Sequence, residues 1–350
     1  MSGVGARSRA GFALPVVLVT ISILTLIFLT IVVAMDDLYG EIATRKSEAA
    51  FQLQALSAEA QFAYLATTEP LTIQGLNVGG SRYEEMRGDA PILVDPNQLQ
   101  LIKLDASPYG WNPRKDAARP AIEVLVQDEG GLLNLSYAPR EALVRLFMLA
   151  GSDGPSAGKL ASEAVDFRDI DDLLMVDGAE AADYSRAGLP PPTNRPFQQV
   201  SELNGILSWQ TRTPPLWRQV VPWVAARPDG MSFNINTAPV EVLMMQFGIT
   251  KADAQMIVDR RRIQPLYSLS QVGLIGDDEQ SYTFPSGRFR FSVVDQRQGI
   301  GYSSRMSLTP ASRDRPIWVE DTMVQRFKPR AQLSIQTPPA FPRSTVQPSD

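Results

Sequence analysis

The sequence has 350 residues, 44 % of them hydrophobic, with 33 basic and 38 acidic side chains and a formal net charge of -5. That length and apolar content suit about two domains with a sizeable core, and the acidic balance provides no global field for nucleic acid. Cysteine and histidine are both absent, which removes disulfides, thiolate and imidazole metal sites, and both Ser-His-Asp and Cys-His triads, so most enzyme classes are disfavoured and no enzymatic activity is expected.

Phe12 to Met35 is a run of 24 residues without formal charge, preceded by Arg7, Arg9 and Gly11 and followed by Asp36 and Asp37. A helix of roughly 20 apolar residues crosses a ~30 Å hydrocarbon layer, so the run is long enough to span. Arginines before it and aspartates after it hold the amino terminus in the cytoplasm and export the rest. Three readings remain open at this point: a cleaved secretory signal, whose apolar region usually runs about 7–15 residues, a plain single-span anchor, or an anchor processed between Gly11 and Phe12. Beyond Met35, Ile42, Ala49, Leu53, Leu56, Ala60 and Ala63 recur at helical spacing, with Glu41, Arg45, Lys46, Glu48 and Glu59 elsewhere on the cylinder. No proline intervenes before Pro70, so one helix from Phe12 to about Leu65 is expected, roughly 80 Å long. Its second half is expected to lie against a globular domain.

Residues 70–120 are punctuated by glycine and proline and read as loops and short strands, and Ala121 to Gln127 reads as a better strand. An internal repeat follows at an offset of 100, pairing Asn134, Ala138, Pro139, Glu141, Leu143 and Phe147 with identical residues from Asn234 to Phe247. Each copy reads as a short extended segment turning into a helix, with Ser136 or Thr237 as N-cap, the proline in the first turn and the glutamate set against the helix dipole. Val240 to Arg262 reads as two helices joined by a Gly-Ile-Thr hairpin, a unit that resembles the helix-hairpin-helix of DNA-binding proteins but has Thr250 in place of the second glycine. Arg260, Arg261 and Arg262 read as solvated partners of the helix dipole, and the motif as a packing unit.

Between the copies, Asp166, Asp169, Asp171, Asp172, Asp177, Glu180 and Asp183 place seven acids within 18 residues, relieved by Arg168 alone. Such a run is either a solvated acidic loop or a set of oxygen ligands of the kind calcium takes in flexible loops. From Gly287 the period changes to two, giving strands at Arg288–Asp295, Tyr302–Leu308 and Ile317–Val324 that join Ala121–Gln127 in one antiparallel sheet. The chain leaves that sheet near Gln127, builds a helical region and returns. The proline-rich tail from Lys328 reads as disordered.

The basic leader ending in Gly11 before an apolar helix that begins with Phe12 resembles a prepilin leader, cut after the glycine and methylated on the new amino terminus. Val16 stands at the fifth mature position, where pilin-like subunits usually carry a glutamate that pairs with a neighbour's amino terminus. An unpaired carboxylate there costs on the order of 2.5–3.5 kcal/mol, and its absence is typical of the minor pseudopilin K of type II secretion. The run Pro190–Pro196 followed by Ser201-Glu-Leu also looks like that family, and together these features identify the chain as similar to general secretion pathway protein K.

The resemblance implies an α+β pilin-like fold, with a long N-terminal helix packed on an antiparallel sheet and a large all-α domain inserted between strands. The domains are then a leader at 1–11, a transmembrane and pilin-type helix at 12–65, a first α/β part at 66–130, an inserted helical domain at 131–280, the remaining strands at 281–327 and a tail at 328–350. It implies a minor pseudopilin at the pseudopilus tip, single-pass in the inner membrane with its bulk in the periplasm. Partners would be other minor pseudopilins, the major pseudopilin, the inner-membrane assembly platform and prepilin peptidase, with no nucleic acid. It also implies calcium at Asp166, Asp169, Asp171, Asp172, Glu180 and Asp183. The runner-up is a membrane-anchored periplasmic DNA-binding protein using the hairpin unit.

Overall fold

The computed structural model describes residues 13–78, 100–112, 122–209, 215–228, 230–274, 281–309, 312, 314–329 and 338–342. Gly11 and Phe12, on which the processing expectation rests, lie outside the described residues. The chain divides into two compact units between Ser57 and Ala58.

The first unit is the leading part of helix α1, which runs unbroken from Ala13 to Thr68, 56 residues and roughly 84 Å. Among the described residues it is one helix long and apolar enough to cross a membrane. Ser22 and Thr25 return their hydroxyls to carbonyls one turn back, at 2.8 Å each, so these polar groups are satisfied without water.

The second unit continues from the end of α1 through β1 (Leu71–Thr72), β2 (Gly75–Val78), β3 (Gln100–Ile102), β4 (Tyr109–Trp111), β5 (Ile122–Asp128) and β6 (Leu133–Asn134). Helices α2 (Arg140–Leu149), α3 (Gly154–Asp166), α4 (Ala181–Arg186) and α5 (Pro215–Val220) follow, then β7 (Val224–Ala225) and β8 (Phe233–Asn234). Helices α6 (Val240–Phe247) and α7 (Lys251–Ile263) precede β9 (Ser281–Tyr282), β10 (Arg288–Asp295), β11 (Ile300–Leu308) and β12 (Ile317–Arg326). The architecture is α+β, as expected.

The main sheet has the order β12-β11-β10-β5-β4 and is antiparallel throughout. Strict alternation in Arg288–Asp295 buries Phe289, Phe291 and Val293 on one face. Phe62 of α1 meets that face, its ring 5.6 Å from those of both Phe289 and Phe291. The buried positions along α1 are Phe51, Ala55, Ala58, Phe62 and Leu65, whereas Ile42, Leu53 and Leu56 are exposed. The expected stripe is thus corrected: two apolar stripes share the cylinder, and within the second unit it is the one carrying Phe62 that meets the aromatic sheet. Glu59, off the expected apolar stripe, accepts from the Tyr302 hydroxyl at 2.7 Å and from Ser304.

Part of the tail is ordered, against expectation. Phe341 is buried, with its ring 5.9 Å from Tyr109 and 6.0 Å from Trp111, and its N–H donates to the Gly110 carbonyl at 2.9 Å. One aromatic side chain that finds two aromatic partners overrides the proline-rich composition around it.

The chain leaves the sheet at Asp128 and re-enters at Arg288, and Phe289 lies directly opposite Asp128 in the ladder. Asp128 is fully buried and accepts from Gly130 N–H, Asn234 Nδ2, Thr237 Oγ1, Ser286 N–H and Ser286 Oγ at 2.6–3.1 Å. One carboxylate therefore ties the sheet to both the start and the end of the helical insert.

Candidate functional site, an acidic insertion in one of two repeated units

The repeat extends well beyond its six identical residues. In copy one Asn134 Oδ1 accepts from the Ser136 N–H at 3.1 Å, and in copy two Asn234 Oδ1 accepts from the Asn236 N–H at 3.0 Å, forming the same Asx turn. The next side chains reach the same place: Ser136 Oγ donates to the Phe197 carbonyl and Asn236 Nδ2 to the Leu266 carbonyl, each at 2.8 Å. The helices then start after Pro139 and Pro239, which stand as the N-caps. Ser136 and Thr237 do not cap; distant partners at Phe197 and Asp128 claim their hydroxyls.

Each first helix passes through a hairpin into a second, α2 into α3 and α6 into α7. An arginine at the end of each second helix, just past α3 in copy one and inside α7 in copy two, returns onto its own turn. Arg168 donates to the carbonyls of Leu135 and Ala138, and Arg261 to those of Ile235 and Ala238, the same two positions at an offset of 100. Burial lowers both guanidinium pKa values to about 10. The surrounding sequences, Val165-Asp-Phe-Arg168-Asp-Ile170 and Val258-Asp-Arg-Arg261-Arg-Ile263, agree at Val, Asp, Arg and Ile. That signal was available in the sequence, and reading the three arginines as solvated passed over it. Each copy ends with a 3-10 turn, Val200–Gly205 or Leu269–Val272, and a short strand parallel to its own first strand, Leu133 opposite Val224 and Phe233 opposite Ser281.

The copies part company after the exposed isoleucine. Copy two goes from Ile263 to Pro265 in two positions; copy one goes from Ile170 to Pro196 in 26. The acidic segment is therefore a 24-residue insertion into a frame that closes without it. Tyr184 anchors it: the side chain is fully buried, tilted against Phe167, and its hydroxyl accepts from the Leu207 N–H at 3.1 Å.

Six acidic residues were expected to act together there. Asp166 is fully buried and accepts from the N–H groups of Met175 and Ala179 at 3.2 and 2.9 Å; a Cβ on Gly178 would stand 1.8 Å from its Oδ2, so only glycine fits. Asp171 accepts from the Leu173 N–H at 2.9 Å, and Asp172 from Asn194 Nδ2 at 3.0 Å. Asp183 is occupied elsewhere, accepting from the Glu180 N–H at 3.1 Å and pairing with Arg186. Glu180 is 8 % exposed; its side chain faces the Asp183 N–H in a capping box, yet among the described residues neither of its carboxylate oxygens makes a hydrogen bond of full geometry, and Asp169 Oδ1 has no partner. Burial, reinforced by the charges of Asp166, Asp169, Asp172 and Asp171, pushes the Glu180 carboxyl up to about 7. Burial and the charges of Asp166 and Asp171 push Asp169 up to about 6, against the opposing pull of Arg168. The structure thus brings Asp166, Asp169, Asp171, Asp172 and Glu180 within electrostatic reach and sets Asp183 apart. Among the described residues no three acidic groups converge closely enough to cage an ion as they stand.

The second hairpin is used for packing. Gly248 takes φ +66°, and a Cβ there would meet Arg145 Nη1 of α2 at 3.3 Å; Arg145 Nε donates to the Met245 carbonyl at 2.6 Å. The backbone that a phosphate would approach in the DNA-binding unit is covered by an arginine of copy one.

The segment from β5 through copy one matches a known family model, type II secretion system (T2SS), protein K, over residues 122–229. Through that region the chain is similar to the type II secretion system protein K family. The protein K of Pectobacterium carotovorum subsp. carotovorum is 30 % identical over 164 residues, covering 44 % of this chain and 49 % of that protein. The protein K of Pseudomonas aeruginosa is 29 % identical over 192 residues, covering 50 % and 56 %. The chain spans about half the length of these curated protein K relatives. The crystal structure of the GspK-GspI-GspJ complex from the enterotoxigenic Escherichia coli type 2 secretion system is similar at a TM-score of 0.48 and 17 % identity, with 81 % of this chain and 99 % of that chain covered.

Proposed function

We propose that the chain is a minor pseudopilin of a type II secretion system, acting by assembly rather than catalysis. The observation that carries this is the protein K match over residues 122–229, in a chain that also has an exposed apolar helix of membrane-spanning length. In this reading α1 anchors the chain in the inner membrane and joins a bundle of similar helices from other minor pseudopilins. The bulk of the chain lies in the periplasm at the filament tip, and growth of the filament moves cargo toward the outer membrane. Cleavage after Gly11 by prepilin peptidase and methylation of Phe12 precede assembly. The test is co-purification: the full chain expressed with its sibling pseudopilins should be recovered with them, and mass analysis should find a mature chain starting at methylated Phe12. Failure of both would remove the reading.

The acidic insertion is proposed to hold calcium through Glu180 and Asp169, with Asp166, Asp171 and Asp172 contributing. The support is chemical: every donor is an oxygen, and among the described residues three buried carboxylate oxygens here, both of Glu180 and one of Asp169, lack a full hydrogen bond. Buried carboxylates left in this state need either protons or a cation. A bound calcium ion would supply charge neutralisation and six to eight oxygen contacts to the loop. Asp183 is left out of the set because its oxygens already hold the start of α4.

A further inference from the structure

A cleft of about 440 Å³ opens where the β1–β2 turn and β3 face the end of α7. Its lining includes Ile263 and Pro265, the two-residue junction at which copy one carries its insertion. Copy one carries at its junction an acidic, apolar segment of its own, with Ile170, Leu173, Leu174 and Val176 exposed. Copy two leaves the corresponding junction open and surrounds it with cations.

Lys103, Arg261 and Arg262 line the cleft against a single carboxylate, Asp105. Asp105 is already engaged by Ser107 at 2.6 Å and stands 3.9 Å from Arg261. The Arg261 side chain is 5 % exposed, and among the described residues its Nε has no acceptor. Among the described residues Arg262 pairs with Asp259 alone, at 3.2 Å and with both side chains 57 % exposed, a pair weak enough to exchange. Beside these charges Ile263 is 89 % exposed, as its counterpart Ile170 is 91 % exposed in copy one. A volume near 440 Å³ lies within the usual range of ligand pockets, about 300–1,000 Å³.

We propose that this cleft binds an acidic, partly apolar peptide segment of another protein, with a carboxylate side chain pairing with Lys103 and Arg262 and an apolar side chain resting on Ile263 and Leu101. Charge complementarity selects an acidic occupant, and the exposed isoleucine selects one with apolar side chains as well. The stretch Asp169-Ile-Asp-Asp-Leu-Leu-Met-Val176 combines acidic and apolar side chains of this kind and provides a probe. The site stands independently of the pseudopilin and calcium readings.

The test is fluorescence anisotropy with the full chain in detergent micelles and a labelled octapeptide of the sequence of residues 169–176, in the presence of a chelator. Saturable binding is expected, weakened about tenfold or more by Lys103→Glu with Arg262→Glu and by raised salt. It should be unchanged by Arg186→Glu, which alters charge in the insertion instead. Should the double reversal fail to fold, Lys103→Gln with Arg262→Gln replaces it, with the same expectation. No saturable binding, or binding indifferent to the charge variants at an unchanged melting temperature, overturns the proposal. Tighter binding of an oligonucleotide of equal charge overturns the peptide assignment. Self-association of the unlabelled chain that the cleft variants abolish overturns it in favour of a second copy.

Discussion

The two copies of the helical unit share a frame and differ in what was added to it. Both fold through an Asx turn, a proline-started helix, a hairpin and an arginine that returns to the same pair of turn carbonyls. Copy one then carries 24 extra residues with a cluster of buried carboxylate oxygens that lack full hydrogen bonds; copy two closes at once and leaves a cationic cleft. A shared frame accounts for stability, and the divergent junctions are where specific chemistry is sought. The turn asparagines show a subtler divergence. Asn134 donates to the carbonyls of Arg227 and Gly230, whereas Asn234 donates to the buried carboxylate of Asp128.

That asymmetry gives the largest expected effect. Asp128→Ala should destabilise the second unit by about 3–5 kcal/mol, because five donors lose a buried charge; denaturant titration of the full chain in micelles measures it. A loss below about 1 kcal/mol would mean that copy two does not depend on the sheet. Next, Arg168→Ala and Arg261→Ala should each cost about 1.5–3 kcal/mol, the loss of charged hydrogen bonds to two carbonyls, and the two losses should agree. Unequal losses would break the equivalence of the frames.

Calcium should sharpen the difference between the junctions. Added at about a hundred times its dissociation constant it should stabilise the chain by about 2.7 kcal/mol, and Glu180→Gln should abolish the effect while Asp259→Asn, at the copy-two position matching Asp166, leaves it intact. A melting curve indifferent to chelation removes the metal from the account. The pH dependence of the metal-free chain tests the same carboxylate. Glu180 titrates at about 7 in the folded state against 4.5 ordinarily, so between those values the folded state binds the extra proton. Stability should therefore fall as pH rises from about 4.5 to about 7 and level off above, and Glu180→Gln should flatten that slope.

The alternation in Arg288–Asp295 made the sheet legible before any coordinates, as did the recurrence of Asn-X-X-X-Ala-Pro for the two units. Local rules failed where distant partners intervened. Ser136 and Thr237 are good N-cap types, yet residues 61 and 109 positions away take their hydroxyls. On α1 the spacing of Ile42, Leu53 and Leu56 is as helical as that of Phe51, Ala55 and Phe62. Only the matching aromatic face on β10 decides between them for the residues that pack on it. Among the acids, charge and spacing could not distinguish Asp183, which braces a helix start, from Glu180, whose oxygens lack a full hydrogen bond among the described residues.

The helical insert departs and returns across one rung of the ladder, Asp128 opposite Phe289. Each copy inside it likewise begins and ends on paired strands, at Leu133 with Val224 and Phe233 with Ser281. A module whose ends are neighbours can be lengthened, doubled or grafted into a hairpin with little strain on its host, since closing a longer loop adds entropy only logarithmically. Such doorways nest two deep here, repeat within insert and insert within sheet, and each is a place where new chain could be spliced in while the older layer kept its shape.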